Sequence, residues 1–234
     1  MKKYKNLFFD LDDTLWAFAE NARDTFGEMY ELHGYGRFFR SFAHYYALYE
    51  DRNRQLWEEY GRGEVSKEEL NRQRFSYPLL QVGVPEAEAM ELSQRFQSDF
   101  FQVIPTKQKV MPHAHEVLSE LSSRYRLFIL SNGFRELQCH KMRSAGLDVY
   151  FRKIVLSDDL GLLKPRPELF HFALSATQSQ LNESLMVGDS WANDVAGARG
   201  VGMDQVFFDP AGSQDLPFTP TYHISDLKEL LSFL

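Results

Sequence analysis

Leu7-Phe8-Phe9-Asp10-Leu11-Asp12-Asp13-Thr14-Leu15 joins a short apolar run directly to a cluster of carboxylates. A continuous apolar run bounded by turn-forming residues is the pattern of a strand buried on both faces. The pattern recurs downstream. Leu127-Phe128-Ile129-Leu130 leads into Ser131-Asn132-Gly133, and Ile154-Val155-Leu156 into Ser157-Asp158-Asp159. Leu185-Met186-Val187 leads into Gly188-Asp189-Ser190, and Val206-Phe207-Phe208 into Asp209-Pro210-Ala211-Gly212. Helical patterns fill the intervals from His113 to Ser123, Glu136 to Ala145, Pro167 to Ala176 and Asn193 to Gly200. Such alternation specifies an α/β fold with a doubly wound, parallel, Rossmann-like sheet. Ligands of such sheets bind beyond the carboxyl ends of the strands, where all these polar clusters fall.

Residues 17–102 break the alternation and contain no convincing strand. They read as helices near Phe18 to Leu32, Phe38 to Tyr60, Lys67 to Val82 and Glu86 to Phe101, with Gly34, Gly36, Gly61, Gly63 and Pro85 at the turns. A lone strand ahead of them needs a sheet to join. The segment is therefore expected to be an all-helical cap inserted after the first strand, with residues 1–16 and 103–234 forming the α/β catalytic core. Phe38, Phe42, Tyr45 and Tyr49 recur at helical spacing and read as a helix–helix core rather than a stacking platform.

Of the 234 residues 44% are hydrophobic and 25% charged, enough for a packed core. A net charge of −7 argues against a partner such as a nucleic-acid polymer, which calls for a basic face. It is compatible with a small phosphorylated metabolite held by a local cluster of donors. Cys139 is the single cysteine, so no intramolecular disulfide forms and a reducing, cytoplasmic setting is expected. The apolar start at Leu7 is interrupted by Asp10, Asp12 and Asp13, unlike a signal peptide, and no run reaches the length of a membrane span. No membrane partner is expected, and no motif bears on oligomeric state.

Alternation along an extended strand end points Asp10 and Asp12 the same way. One carboxylate can then attack phosphorus, while the other protonates the leaving oxygen and afterwards deprotonates a water. The plainer alternative is an acidic turn after an edge strand, and Asp13 reads as a turn residue. Gly188-Asp189-Ser190-Trp191-Ala192-Asn193-Asp194 brings more carboxylates to another strand end. Mg2+ prefers oxygen ligands and is held by one or two carboxylates with water and substrate phosphate. Asp189, Asp10 and the Asp12 carbonyl could meet that need; the plainer alternative is an Asx-type turn and helix N-cap, the reading favoured for Asn193. Ser131 and Asn132 offer donors to a phosphoryl oxygen. Lys164, in Lys164-Pro165-Arg166-Pro167-Glu168, is either a phosphoryl-neutralising cation or a solvated loop lysine ahead of a helix that Pro167 opens.

Taken in order, Asp-x-Asp-x-Thr, Ser-Asn-Gly, Lys-Pro-x-Pro-Glu and Gly-Asp-Ser-x-x-Asn-Asp resemble the haloacid dehalogenase-like hydrolase superfamily, in its phosphatase branch with a helical cap. The resemblance implies Asp10 as nucleophile and metal ligand, and Asp12 as acid/base that also lends its carbonyl to Mg2+. It further implies Ser131 and Asn132 as phosphate-binding, Lys164 as phosphoryl-stabilising and Asp189 as a metal ligand. Asp194 is expected to partner Lys164 rather than the metal.

Asn53-Arg54-Gln55-Leu56-Trp57-Glu58-Glu59-Tyr60 and Gly63 to Leu70 are similar to the cap of the house-cleaning pyrimidine 5′-nucleotidases, as is Ser131 to Glu136 to their motif. That implies a nucleoside 5′-monophosphate substrate, with Asn53, Trp57 and Arg135 as specificity candidates, each with a purely structural alternative. His113 departs from the family pattern, which often has Gly after the position of Pro112. Sugar-phosphate or phosphoglycolate phosphatase and phosphomutase are the alternatives that share the motif residues. A carbon–halogen hydrolase would need neither Asp12 nor Asp189, and a silent binding module would not need the four motifs together.

Overall fold

The computed structural model describes residues 4–213 and 215–234. Its apolar runs become β1 (Asn6–Phe9), β2 (Arg126–Ser131), β3 (Lys153–Leu156), β4 (Ser184–Gly188) and β5 (Asp204–Phe208). A further strand, β6 (Tyr222–Ile224), extends the sheet, which is parallel throughout and ordered β3-β2-β1-β4-β5-β6. β1 lies between β2 and β4, with Phe8 in register with Phe128 on one side and Met186 on the other. All four of its residues are buried, which is why the run carries no polar alternation. The strand order reverses between β1 and β4, so the crevice of this topology opens where Asp10 and Asp189 leave the sheet.

Each crossover from β1 through to β5 carries an α-helix. The insert contains α1 (Phe18–Leu32), α2 (Phe42–Gly61), α3 (Lys67–Gln81) and α4 (Glu86–Val103). The remaining helices are α5 (Ala114–Ser122), α6 (Arg135–Ser144), α7 (Pro167–Ala176), α8 (Ala196–Gly200), which a single π turn over Trp191–Val195 precedes, and α9 (Leu230–Phe233). Phe8, Phe128, Leu130, Val155, Leu169, Phe170, Met186 and Ala198 form one cluster that seats α7 and α8 on the sheet. Among the described residues no helix is long and apolar enough to cross a membrane.

The chain divides into two compact units, Met1–Phe18 with Gln108–Leu234 and, separately, Ala19–Lys107. The second unit is organised around Phe26. Its ring lies 4.1 Å from that of Tyr49 and 4.3 Å from that of Phe100, with Tyr45, Tyr46, Phe75 and Phe96 also around it. The aromatic stripe is thus core, with one correction. The helix expected from Phe38 starts at Phe42, because the Ser41 hydroxyl accepts a hydrogen bond from the His44 N–H and caps it there. Phe38 lies outside the helix, its ring beneath the Arg37 guanidinium.

His113 accounts for its departure from the family pattern. It takes a left-handed φ of 64°, a conformation glycine adopts without a Cβ penalty. The imidazole Nδ1 lies 2.8 Å from the Asp226 carboxylate.

Removing the ring at the centre of the helical unit is expected to be severe. Phe26→Ala should destabilise it by about 3–5 kcal/mol, read from urea unfolding. A loss below about 1 kcal/mol would show that the aromatic cluster is not its core.

Candidate active site

The site is built on strand ends. Asp10 follows β1, and its N–H donates to the Val187 carbonyl of β4 at 2.9 Å, so the backbone ladder itself places this carboxylate. Lys164 reaches it from the loop ahead of α7. The Lys164 Nζ donates to Asp10 Oδ1 at 2.6 Å, to Asp194 Oδ1 at 2.6 Å and to the Leu130 carbonyl at 2.8 Å. These three acceptors use all three ammonium protons. The Lys164 backbone is fixed in turn: its N–H donates to Asn132 Oδ1 at 2.7 Å, and the Asn132 amide donates back to the Lys164 carbonyl at 3.0 Å. The Asn132 side chain therefore clamps the lysine loop.

Asp189 follows β4 and exchanges hydrogen bonds with Thr14. The Thr14 hydroxyl donates to Asp189 Oδ1 at 2.8 Å and accepts from the Asp189 N–H at 3.0 Å. Asp194 lies in the π turn, where Ser190, not Asn193, acts as cap by accepting from the Asn193 N–H. The wider turn brings Asp194 back over Gly188, and a Cβ on Gly188 would come within 2.3 Å of its carboxyl group. Asp194 Oδ2 accepts from the Ser190 N–H at 3.0 Å, while Oδ1 holds Lys164.

Asp12 is held through both oxygens from α6. The Lys141 Nζ donates to Oδ1 and the Gln138 amide to Oδ2, each at 2.8 Å. The same Gln138 nitrogen donates to Ser131 Oγ at 2.9 Å. Ser131 Oγ also accepts from the Gly133 N–H, which leaves its own hydrogen to donate. Asp13, with a φ of 56°, occupies the turn conformation read for it.

One carboxylate oxygen each from Asp10, Asp189 and Asp194 lie within 4.8 Å of one another. Burial pushes the Asp10 carboxyl well above the ordinary range; Lys164 offsets this in part, while Asp194 and Asp189 add repulsion. Burial and the charge of Asp194 push Asp189 up to about 7, against the relief given by Thr14. Burial works against the charge of Lys164, but Asp10 and Asp194 outweigh it and hold its pKa above the usual lysine value. Three hard oxygen donors around one ammonium leave the cluster short of positive charge, so the donor set fits a divalent cation such as Mg2+.

The other candidates have local partners. The Arg135 N–H donates to Asp158 Oδ2 at 2.9 Å and its guanidinium pairs with Asp159, which ties α6 to the end of β3. In the helical unit, Asn53 Oδ1 accepts from the buried Arg74 at 3.4 Å, and Trp57 packs edge-on against Tyr60. Thr14, Gln138 and Lys141 also line the site, though no sequence motif assigns Gln138 or Lys141 to it. Gln138 and Lys141 sit three apart on α6, buried with Met142, so they share one helix face. Polar residues on the buried face of the helix after Ser131-Asn132-Gly133 are the signal that marks them.

A family model described as haloacid dehalogenase-like hydrolase matches residues 4–202. The HAD-hydrolase YfnB of Bacillus subtilis is 28% identical over 100% of this chain and 97% of its own length. A crystal structure of YfnB bound to magnesium matches with a TM-score of 0.86 at 27% identity, covering 99% of this chain and 98% of that one. Pyrimidine 5′-nucleotidase PynA of Streptococcus pneumoniae is 28% identical over 99% of this chain and 95% of its own length. A 2-haloacid dehalogenase from Pseudomonas syringae matches at 25% identity with a TM-score of 0.69, covering 98% and 97% of the two chains.

The charge imbalance gives a measurable consequence. Mg2+ at a hundredfold excess over its dissociation constant should stabilise the chain by about 2.7 kcal/mol, seen as a rise in the thermal midpoint. Asp189→Asn should stabilise the metal-free chain by removing repulsion and should abolish the rise. An undiminished Mg2+ response in that variant would exclude Asp189 as a ligand.

Proposed function

The chain belongs to the haloacid dehalogenase-like hydrolases, and we propose that it is a magnesium-dependent phosphomonoesterase acting through an aspartyl-phosphate on a nucleoside 5′-monophosphate. The observation that carries this reading is the pairing of two different carboxylates at one strand end. Asp10 sits in the acidic cluster with Lys164, and Asp12 sits apart from it, held by α6.

In the first step an Asp10 oxygen bonds to phosphorus as the bond to the leaving oxygen breaks, and Asp12 gives that oxygen its proton. In the second, Asp12 takes a proton from water as the water oxygen bonds to phosphorus, and the acyl-phosphate bond breaks to restore Asp10. Lys164 fixes Asp10 through Oδ1, which leaves Oδ2 to attack. Ser131 has a hydroxyl hydrogen to donate to a phosphoryl oxygen. Asp10, Asp189 and the Asp12 carbonyl would hold Mg2+, which when bound neutralises charge between the nucleophile and the ester. Most of the acceleration comes from such positioning and charge neutralisation.

Support for the nucleotide substrate is the full-length similarity to PynA together with the Asn53-to-Leu70 motif of the insert. The likeness to a haloacid dehalogenase raises the second reading, displacement at carbon. Such a reaction has no use for an acid at the leaving group, and the held Asp12 carboxylate favours phosphate.

Asp10→Asn should lower Mg2+-dependent turnover by about 10³-fold or more with an unaltered circular dichroism spectrum; retained turnover would sink the assignment. Across nucleoside 5′-monophosphates, sugar phosphates and phosphoglycolate, the highest kcat/KM is expected for a pyrimidine nucleotide. A sugar phosphate or phosphoglycolate ahead of every nucleotide would replace the substrate class.

A further inference from the structure

We propose that Gln138 and Lys141 are positioning residues that give the two oxygens of Asp12 different tasks, Oδ1 holding charge and Oδ2 carrying the transferred proton. The inference rests on the phosphomonoesterase reading and deepens it.

Lys141 is 4% exposed, and its ammonium lies 4.6 Å from the Trp16 ring centroid and 5.0 Å from that of Phe18. Two aromatic rings and one carboxylate oxygen thus enclose a cation that has left water, a setting in which its bond to Oδ1 is strong. Oδ1 faces a cationic donor and Oδ2 a neutral amide, so Oδ2 is the oxygen less opposed by charge and takes the proton of the acid form.

Gln138 aims that oxygen. Its amide nitrogen bridges Asp12 Oδ2 and Ser131 Oγ, so Oδ2 lies on the side of the proposed phosphate-binding hydroxyl. Two features show how closely the amide is constrained. Its Oε1 is buried without a hydrogen-bond partner, a state that costs free energy in a side chain with no exposure. Gly133 makes the room, since a Cβ there would lie 2.1 Å from the Gln138 nitrogen. The partners of the amide nitrogen are Asp12 Oδ2 and Ser131 Oγ, so the side chain is turned toward both at once. In the first step Oδ2 passes its proton to the leaving oxygen. The carboxylate so formed is stabilised by Lys141 at Oδ1 and by Gln138 at Oδ2, and neither partner gives up a proton.

The test compares kcat/KM, which reports formation of the phospho-enzyme, for a nucleoside 5′-monophosphate, phenyl phosphate and 4-nitrophenyl phosphate. The alkoxide of the nucleotide needs the proton most and 4-nitrophenolate needs it least. Gln138→Leu, which leaves every charge in place, and Lys141→Met should each lower kcat/KM for the nucleotide by about 10–100-fold. The loss for 4-nitrophenyl phosphate should be several times smaller, and Lys141→Arg should recover part of the nucleotide activity. Equal losses for all three esters, or no loss, would overturn the assignment. Should Lys141→Met fail to fold, Gln138→Leu and Lys141→Arg decide it alone. An inactive wild-type chain would instead remove the phosphomonoesterase reading, which separates the two failures.

Discussion

The site depends on one buried ammonium. Lys164 gathers Asp10 after β1, the Leu130 carbonyl of β2 and Asp194 of the π turn after β4, each within 2.8 Å. These groups leave three different segments of the sheet edge, and without a cation between them two buried carboxylates would face one another. Burying a charge is tolerated only when it is paired and its protons are used. Here every proton is used, so the position of the lysine and the positions of both carboxylates are set together. Asn132 extends the constraint to the main chain by grasping the Lys164 peptide from both sides.

Close approach of side chain to backbone is the second condition. Gly188 admits the Asp194 carboxyl and Gly133 admits the Gln138 amide. Gly197, in α8, lets Phe170 of α7 and the backbone of Pro165 come near; a Cβ there would lie 2.8 Å from the ring and 3.1 Å from the Pro165 Cα. None of the three has a left-handed backbone, so room, not torsion, is what glycine supplies at each. The loop that carries Lys164 is thereby packed from the α8 side while Asn132 holds it from the β2 side.

The fold was legible wherever burial is two-sided. β1, β2, β4 and β5 announce themselves because a strand covered on both faces has no polar alternation to confuse with a helix. β6 did not, since Tyr222-His223-Ile224 is a short edge strand defined by its pairing with β5 rather than by its own composition. The start of α2 was misplaced because the aromatic period runs on through Phe38, whereas the Ser41 cap is what ends the preceding turn. At the site, Asp10, Asp12 and Asp189 are visible as polar residues at strand ends, and Lys164 as the cation ahead of the helix that Pro167 opens. Gln138 and Lys141 are marked only by polarity on the buried face of α6, and their bonds to Asp12 arise when that helix packs beside the turn after β1. The Asn132 side chain grips a peptide thirty-two residues away, a pairing that no local pattern encodes.

Burial of the ion cluster separates two responses to ionic strength. The chain carries a net charge of −7, so a phosphate ester approaching it meets repulsion that extends over a Debye length of about 8 Å at physiological salt. Added salt screens that approach. The pairs that Lys164 makes with Asp10 and Asp194 lie out of reach of mobile ions, their side chains between 1% and 11% exposed. Salt therefore acts on capture of an anionic substrate and leaves the bonded chemistry of the cluster nearly untouched.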